Sequence, residues 1–362
     1  MSEAKLTEHL RIIWAIGAKD IVDAIKNRMT ISVIVGIGMM MLTGQAFPFL
    51  LSLSNISQVV VYDAGDSRLV AELREDDGYR LLTADSKEEL DEILLSMNAE
   101  VLGLWVPADF DQVLDSGGTV ELGGYVVWAA RSAAEELKSE MEGYLEERLG
   151  RPVSVRVEGN IVYPPAEGAG RIGMIASVLV LVLVCMGGFI IPYLIFEEKQ
   201  THTMEALLVS PASVSQIIAG KALAGLFYCL TAAAVALAFN HAVIVHWGLA
   251  VAAVICGAIL IIAMGLVIGS LFQTAQQMSV WIALPVAALL IPTMLVMVDM
   301  RLPAWLEAIV PWLPTVALAK VFMLSFSGSA TLARALPDLA ILIGWAVPVY
   351  AAVVWIVRRS DR

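Results

Sequence analysis

Charge is what this sequence has least of. Only 16% of its 362 residues are Asp, Glu, Lys or Arg, against 59% hydrophobic, and the mean hydropathy is +0.78. A soluble domain carries about 25% charged residues, so this composition excludes an ordinary soluble fold and predicts a membrane protein. Cysteine is also scarce. Cys185, Cys229 and Cys256 are the only three, and all lie in apolar runs. They offer neither a disulfide framework nor a zinc spacing and read as small apolar filler. Of the four histidines none falls between Ser54 and Arg171, so that stretch has no Ser/His pair and no metal-ligand cluster.

What is present is long uncharged runs. Ile31–Leu53, Ile172–Phe196, Ala222–Phe239, Trp247–Phe272, Met278–Val298 and Leu339–Val357 contain no Asp, Glu, Lys or Arg and are 18 to 26 residues long. A helix crossing the roughly 30 Å hydrocarbon core needs about 20 such residues. The sequence therefore predicts an α-helical polytopic membrane protein with six transmembrane helices. The third run is the shortest and can lengthen into Asn240–Val245. The first starts too late and runs too long for a cleaved leader, so it is expected to be retained.

The net charge of −12 is concentrated. Residues 54–171 hold 24 acidic and 10 basic residues, a balance of −14, which leaves the rest at +2. An acidic, water-facing insert thus separates spans one and two, and acidity of this kind excludes a nucleic-acid partner. Lys and Arg accumulate in short cytoplasmic segments. With the N-terminus inside, the inner segments carry Lys5, Arg11, Lys19, Lys26, Arg28, Lys199, Lys221, Arg358, Arg359 and Arg362, against Arg301, Lys320 and Arg334 outside. Both termini are expected in the cytoplasm, with 358–362 as a tail, and residues 54–171 outside the cell membrane.

Within residues 1–30, Leu6, Leu10, Ile13 and Trp14, then Ile21, Val22 and Ile25, recur at helical spacing beside Lys19, Lys26 and Arg28. That pattern predicts a helix lying along the inner membrane surface. The insert reads as α/β: strands at Gln58–Asp63, Val101–Val106, Thr119–Trp128 and Val153–Val157, and helices at Ser86–Ser96 and Arg131–Leu149. Its acids spread along helices as solvated faces. Residues 299–338 contain Pro303, Trp305, Pro311, Trp312, Pro314 and Pro337 around an apolar Trp312–Phe326. So short and broken a run predicts a re-entrant or surface helix pair; a seventh span would conflict with a cytoplasmic Arg358–Arg359. Gln45, Asn55, Tyr193, Tyr228, Thr231, Asn240 and His241 are polar groups in or beside spans and are candidates to line a path. His246 reads as a solvated interfacial residue. Gly265 and Gly269 form a G-x-x-x-G that permits close helix packing and is a candidate dimer face.

The segment 197–221 reads EEKQTHTMEALLVSPASVSQIIAGK. Met204, Leu207 and Leu208 make one apolar face, Ser210–Pro211 stops that helix, and Ser213 can cap the next. A short amphipathic helix held between two spans can dock into a partner's groove; a plain connecting loop is the alternative. The segment resembles the coupling helix of the ABC-2-type permease family, the membrane subunits of ATP-driven exporters. The likeness rests on Glu197–Glu198, the Thr203-Met204-Glu205-Ala206-Leu207-Leu208 core, Ser210–Pro211 and Gly220–Lys221, with His202 where the family usually has Gly. The interfacial helix, the large insert with its Leu104–Phe110 phrase, and the proline-rich segment before span six are similar to the branch of sodium and multidrug exporters.

The resemblance implies a permease dimer, homo- or heteromeric, that binds a separate ABC ATPase through Glu197, Glu198, Thr203, Glu205, Leu207, Leu208, Ser210, Pro211, Gly220 and Lys221. The cargo would be a small molecule, ion or lipid-like substrate, and the site a prokaryotic inner membrane. The chain itself has no phosphate cradle G-x-x-x-x-G-K-[ST]: Ala222 follows Gly220–Lys221, and Ser215 stands where the first Gly would be. ATP and Mg are therefore expected on the partner, with no cofactor in this chain and no catalytic role for it. A membrane-anchored sensor or assembly protein that needs no ATPase is the alternative reading.

Overall fold

The structure is a computed structural model and describes residues 3–26, 31–32, 34–36, 38–39, 42, 57–74, 79–97, 101–157, 159–165, 171–200, 213–271, 277, 282–297 and 303–360. The chain divides into two compact units, one of Met1–Leu42 with Ala166–Arg362 and one of Thr43–Pro165. The first opens with a 24-residue helix, α1 (Glu3–Lys26). The described positions among Ile31–Leu42 are also helical; the remainder of the first expected span lies outside the described residues.

The second unit is an α/β fold. In order it runs β1 (Ser57–Asp63), α2 (Arg68–Arg74), β2 (Tyr79–Ala84), α3 (Lys87–Ser96), β3 (Leu102–Val106), α4 (Phe110–Ser116), β4 (Val120–Val127), a 3₁₀ turn (Trp128–Ala133), α5 (Ala134–Leu149), β5 (Val153–Arg156) and β6 (Ile161–Val162). The strands pair in the order β2-β1-β3-β4-β5, with β6 also on β4. All pairs are parallel except β3 with β4, which run antiparallel through Trp105↔Gly123 and Leu102↔Val126. Val59, Val60, Val61, Leu104, Leu122 and Val126 are fully buried, as expected for sheet covered on both faces. Helix α3 closes one face: Leu90 and Leu94 lie directly over Gly103. Ser86 caps that helix, its hydroxyl accepting the Glu89 N–H at 3.1 Å. The expected strands and the α3 helix recur here; β2, α2 and α4 were not anticipated. The helix expected at Arg131–Leu149 begins instead as a 3₁₀ turn and becomes α-helical at Ala134.

The first unit continues with α6 (Arg171–Cys185), a π-helical turn (Met186–Ile190), α7 (Ile191–Gln200), α8 (Val214–Phe239), α9 (Trp247–Leu271), α10 (Ala283–Met297), α11 (Ala304–Ile309), α12 (Pro314–Phe326) and α13 (Leu332–Ser360). Among the described residues four helices are long and apolar enough to cross a membrane: Ile172–Phe196, Gln216–Phe239, Trp247–Leu271 and Leu332–Ile356. The pair Ala304–Trp312 and Pro314–Phe326, bent by 74°, would be a fifth if it crosses as one span. Ala283–Met294 is apolar but short.

Two boundaries correct the sequence expectation, and the second run keeps its bounds but not its regularity. The third run lengthens toward its N-terminus, through Lys221, instead of into Asn240–Val245; Asn240 ends α8 and a 3₁₀ turn follows at His241–Val243. Lys221 is tolerated because Asp20 neutralises it. Helix α13 begins at Leu332, ahead of Leu339, and keeps Pro337 and Pro348 inside it. The second run is one span with a π turn just before Pro192. A proline ring collides with the carbonyl four residues earlier, here Gly188, and a π turn relieves that collision.

The core of this unit lies between α6–α7 and α9. Their candidate spans are 67% and 61% buried, against 17% for α13. Glycines make the seam. A Cβ on Gly187 would stand 2.5 Å from Ile261 Cγ2, and one on Gly265 would collide with the Gly187 carbonyl. So the Gly265-x-x-x-Gly269 motif packs against span two of its own chain. It is not a face between copies, which corrects that expectation. Helix α12 is buried along its whole length, and the Thr315 hydroxyl donates to the Leu289 carbonyl of α10 at 2.6 Å.

Candidate functional site at the α1–α8 junction

The segment singled out in the sequence enters and leaves the membrane unit by two helices. Glu197 and Glu198 lie in the last turns of α7. Thr203, Glu205, Leu207, Leu208, Ser210 and Pro211 lie outside the described residues. Gly220 and Lys221 sit in the second turn of α8, and here the structure is informative.

Helix α8 starts firmly. The Gln216 side-chain oxygen accepts the Ser213 N–H at 2.7 Å and the Ser213 hydroxyl at 3.0 Å. That is the reciprocal arm of a capping box. With its oxygen so engaged, the Gln216 amide nitrogen lies 2.7 Å from Nδ1 of His9 on α1. One helical turn further on the two helices touch backbone to backbone. A Cβ on Gly220 would stand 2.6 Å from Ile16 Cγ2 and 3.2 Å from the Ile13 carbonyl; one on Gly17 would stand 3.1 Å from the Gly220 carbonyl. Both glycines serve this close approach.

Beside that crossing, Lys221 Nζ lies 3.4 Å from Asp20 Oδ2, with both side chains 4% exposed. A lone charge there would cost several kcal/mol, so each group depends on the other. Two turns further along α8 the Tyr228 hydroxyl donates to the Ile21 carbonyl at 2.5 Å. His9, Ile13, Ile16, Gly17 and Asp20 thus form one face of α1, bound to α8. Another face presents Leu10, Trp14 and Ile25, which are 58%, 64% and 54% exposed. That apolar face suits a membrane surface; Ile13, expected beside it, belongs to the face bound to α8.

Among the described residues the polar candidates for a path do not converge on one site. Gln45 and Asn55 lie outside the described residues. Tyr193 packs beside the buried Phe196, Ile268 and Ile282. Tyr228 is committed to α1. Thr231 donates to Phe227 O at 2.8 Å on an exposed face. Asn240 Nδ2 donates to Ala236 O at 2.9 Å, and His241 Nδ1 lies 3.1 Å from Ala238 O, both at the far end of α8. Asp20 escaped the sequence reading. Its signal was there: His9, Ile13, Ile16 and Asp20 recur at 3.6-residue spacing, placing an acid in line with Ile13 and Ile16 on one face of α1.

Chemically the junction consists of close backbone packing, hydrogen bonds and one ion pair. Among the described residues no group of three or more His, Cys, Asp or Glu could hold a metal. Packed apolar helices, a glycine seam and a basic residue neutralised at a helix crossing define a multi-pass membrane protein. The chain belongs to the ABC-2 family of transporter proteins, whose profile matches residues 29–355. No curated protein and no solved structure in the two other comparisons matches it. It is therefore a membrane subunit of the transporter kind.

Proposed function

We propose that this chain is the permease subunit of an ATP-driven exporter of the sodium and multidrug branch. One observation carries the reading: the chain belongs to a transporter family yet contains no phosphate-binding loop, so its energy comes from another polypeptide. Six spans per subunit, both termini cytoplasmic and residues 54–171 extracytoplasmic complete the arrangement in a prokaryotic inner membrane. Two subunits enclose the path. The close packing of α9 on the π turn and α7 supports this, because it closes that seam within one subunit. Thr231, exposed on α8, and His241, exposed in the 3₁₀ turn after it, are the polar candidates to line that path.

ATP binding on paired ATPases pushes the 197–221 segments and switches the path between inward- and outward-open states. Glu205, Leu207 and Leu208 meet the ATPase. The cargo is a small molecule, ion or lipid-like compound. Purification of the native complex in detergent tests this: a stoichiometric Walker-type ATPase supports it, and its absence favours a membrane-anchored sensor. Replacing Glu205, Leu207 and Leu208 together by Ala should abolish permease-stimulated ATP turnover while membrane insertion persists; unchanged turnover refutes the coupling role.

A further inference from the structure

Gly220 and Lys221 match the family's motif, and that resemblance assigns them to the ATPase. Their surroundings point elsewhere. Lys221 is 4% exposed and its ammonium faces Asp20. Gly220 is covered by Ile13 and Ile16 of α1. Neither residue presents a surface to a second protein. We infer that Gly220–Lys221 is an internal socket for α1: Gly17 and Gly220 set the approach, Asp20 and Lys221 lock its register, and Tyr228, two turns further along α8, fixes Ile21.

The inference deepens the exporter reading and rests on it for its functional part. With the socket closed, α1 and α8 move as one body. A push on the segment preceding α8 therefore also displaces α1, whose Leu10, Trp14 and Ile25 lie at the membrane surface. Asp20 and Lys221 are positioning residues in this scheme; they touch neither nucleotide nor ATPase.

The lock has a property that separates the two assignments. Removing one partner of a buried ion pair strands the other charge, whereas replacing both by apolar side chains of similar volume is often neutral. An ATPase contact through Lys221 would not be restored by changing Asp20. The test uses the full chain in nanodiscs with its copurified ATPase, and compares Asp20→Leu, Lys221→Met and the double Asp20→Leu/Lys221→Met. Hydrogen exchange of the α1 amides and ATP turnover are read on each. Each single variant should speed α1 exchange by roughly a hundredfold and depress stimulated turnover without changing the KM for ATP. The double variant should restore both.

If the double variant regains slow α1 exchange but not turnover, Lys221 acts on something other than α1 and the inference is wrong. Single variants that release α1 yet keep full turnover also overturn it. So does unchanged α1 exchange in the single variants, whatever the turnover. A wild-type chain that binds and stimulates no ATPase rejects the exporter reading instead, and the exchange measurement still decides the socket.

Discussion

Gly265→Ala should destabilise this protein, although the same change normally stabilises a helix. Alanine is favoured over glycine in a helix interior by about 1 kcal/mol. At Gly265 that gain meets a wall. The added Cβ would overlap the Gly187 carbonyl oxygen and lie 3.2 Å from both its carbon and Ile191 Cβ. Two of these atoms are main chain, so no rotamer change makes room and the helices must separate. Overpacking costs about 1–3 kcal/mol where neighbours can adjust; here they cannot, so the penalty exceeds the propensity gain. Gly344 is the control. It lies in α13 with nothing within 4 Å of a Cβ, and its Ala variant should be neutral or more stable. Thermal unfolding of detergent-solubilised protein, followed by tryptophan fluorescence, compares the two. A Gly265→Ala midpoint at or above wild type refutes the seam. An intact midpoint with an altered oligomeric state would instead return the glycine motif to a face between copies.

Three further changes have worked signs. Gly143→Ala in α5 meets open space and should raise the resistance of the α/β unit to urea by about 0.5–1 kcal/mol, read by hydrogen exchange of its strands. Gln216→Ala removes the acceptor for both Ser213 groups and the contact to His9; loss of such a cap should cost about 1 kcal/mol and speed exchange at the start of α8. Asp91 has its Oδ1 buried without a partner, and desolvation raises its pKa, Lys87 opposing. Its ionised form therefore weakens the fold at neutral pH. Asp91→Asn should stabilise the α/β unit at pH 7, an advantage that shrinks as acid protonates the wild-type carboxyl; an advantage that grows on acidification refutes the assignment.

How much could be read in advance depended on which force decides each element. Hydrocarbon length decides a span, so Trp247–Phe272 needed only composition, and its described residues, Trp247–Leu271, are one helix. Tertiary pairing decides the rest. Tyr79–Ala84 does not alternate cleanly and is a strand because β1 pairs with it over six residues. Lys221 ended the third run in the sequence because a lone ammonium is costly in hydrocarbon; in the fold it belongs to the helix, because an acid 201 residues earlier pairs with it. The same blindness governed the site. Matching Gly220–Lys221 to a family pattern singles these residues out, but does not say which surface they face. A glycine that admits an ATPase and a glycine that admits a helix of its own chain look alike in sequence. They differ only in what occupies the space where a Cβ would be, and at Gly220 that space is filled by Ile16.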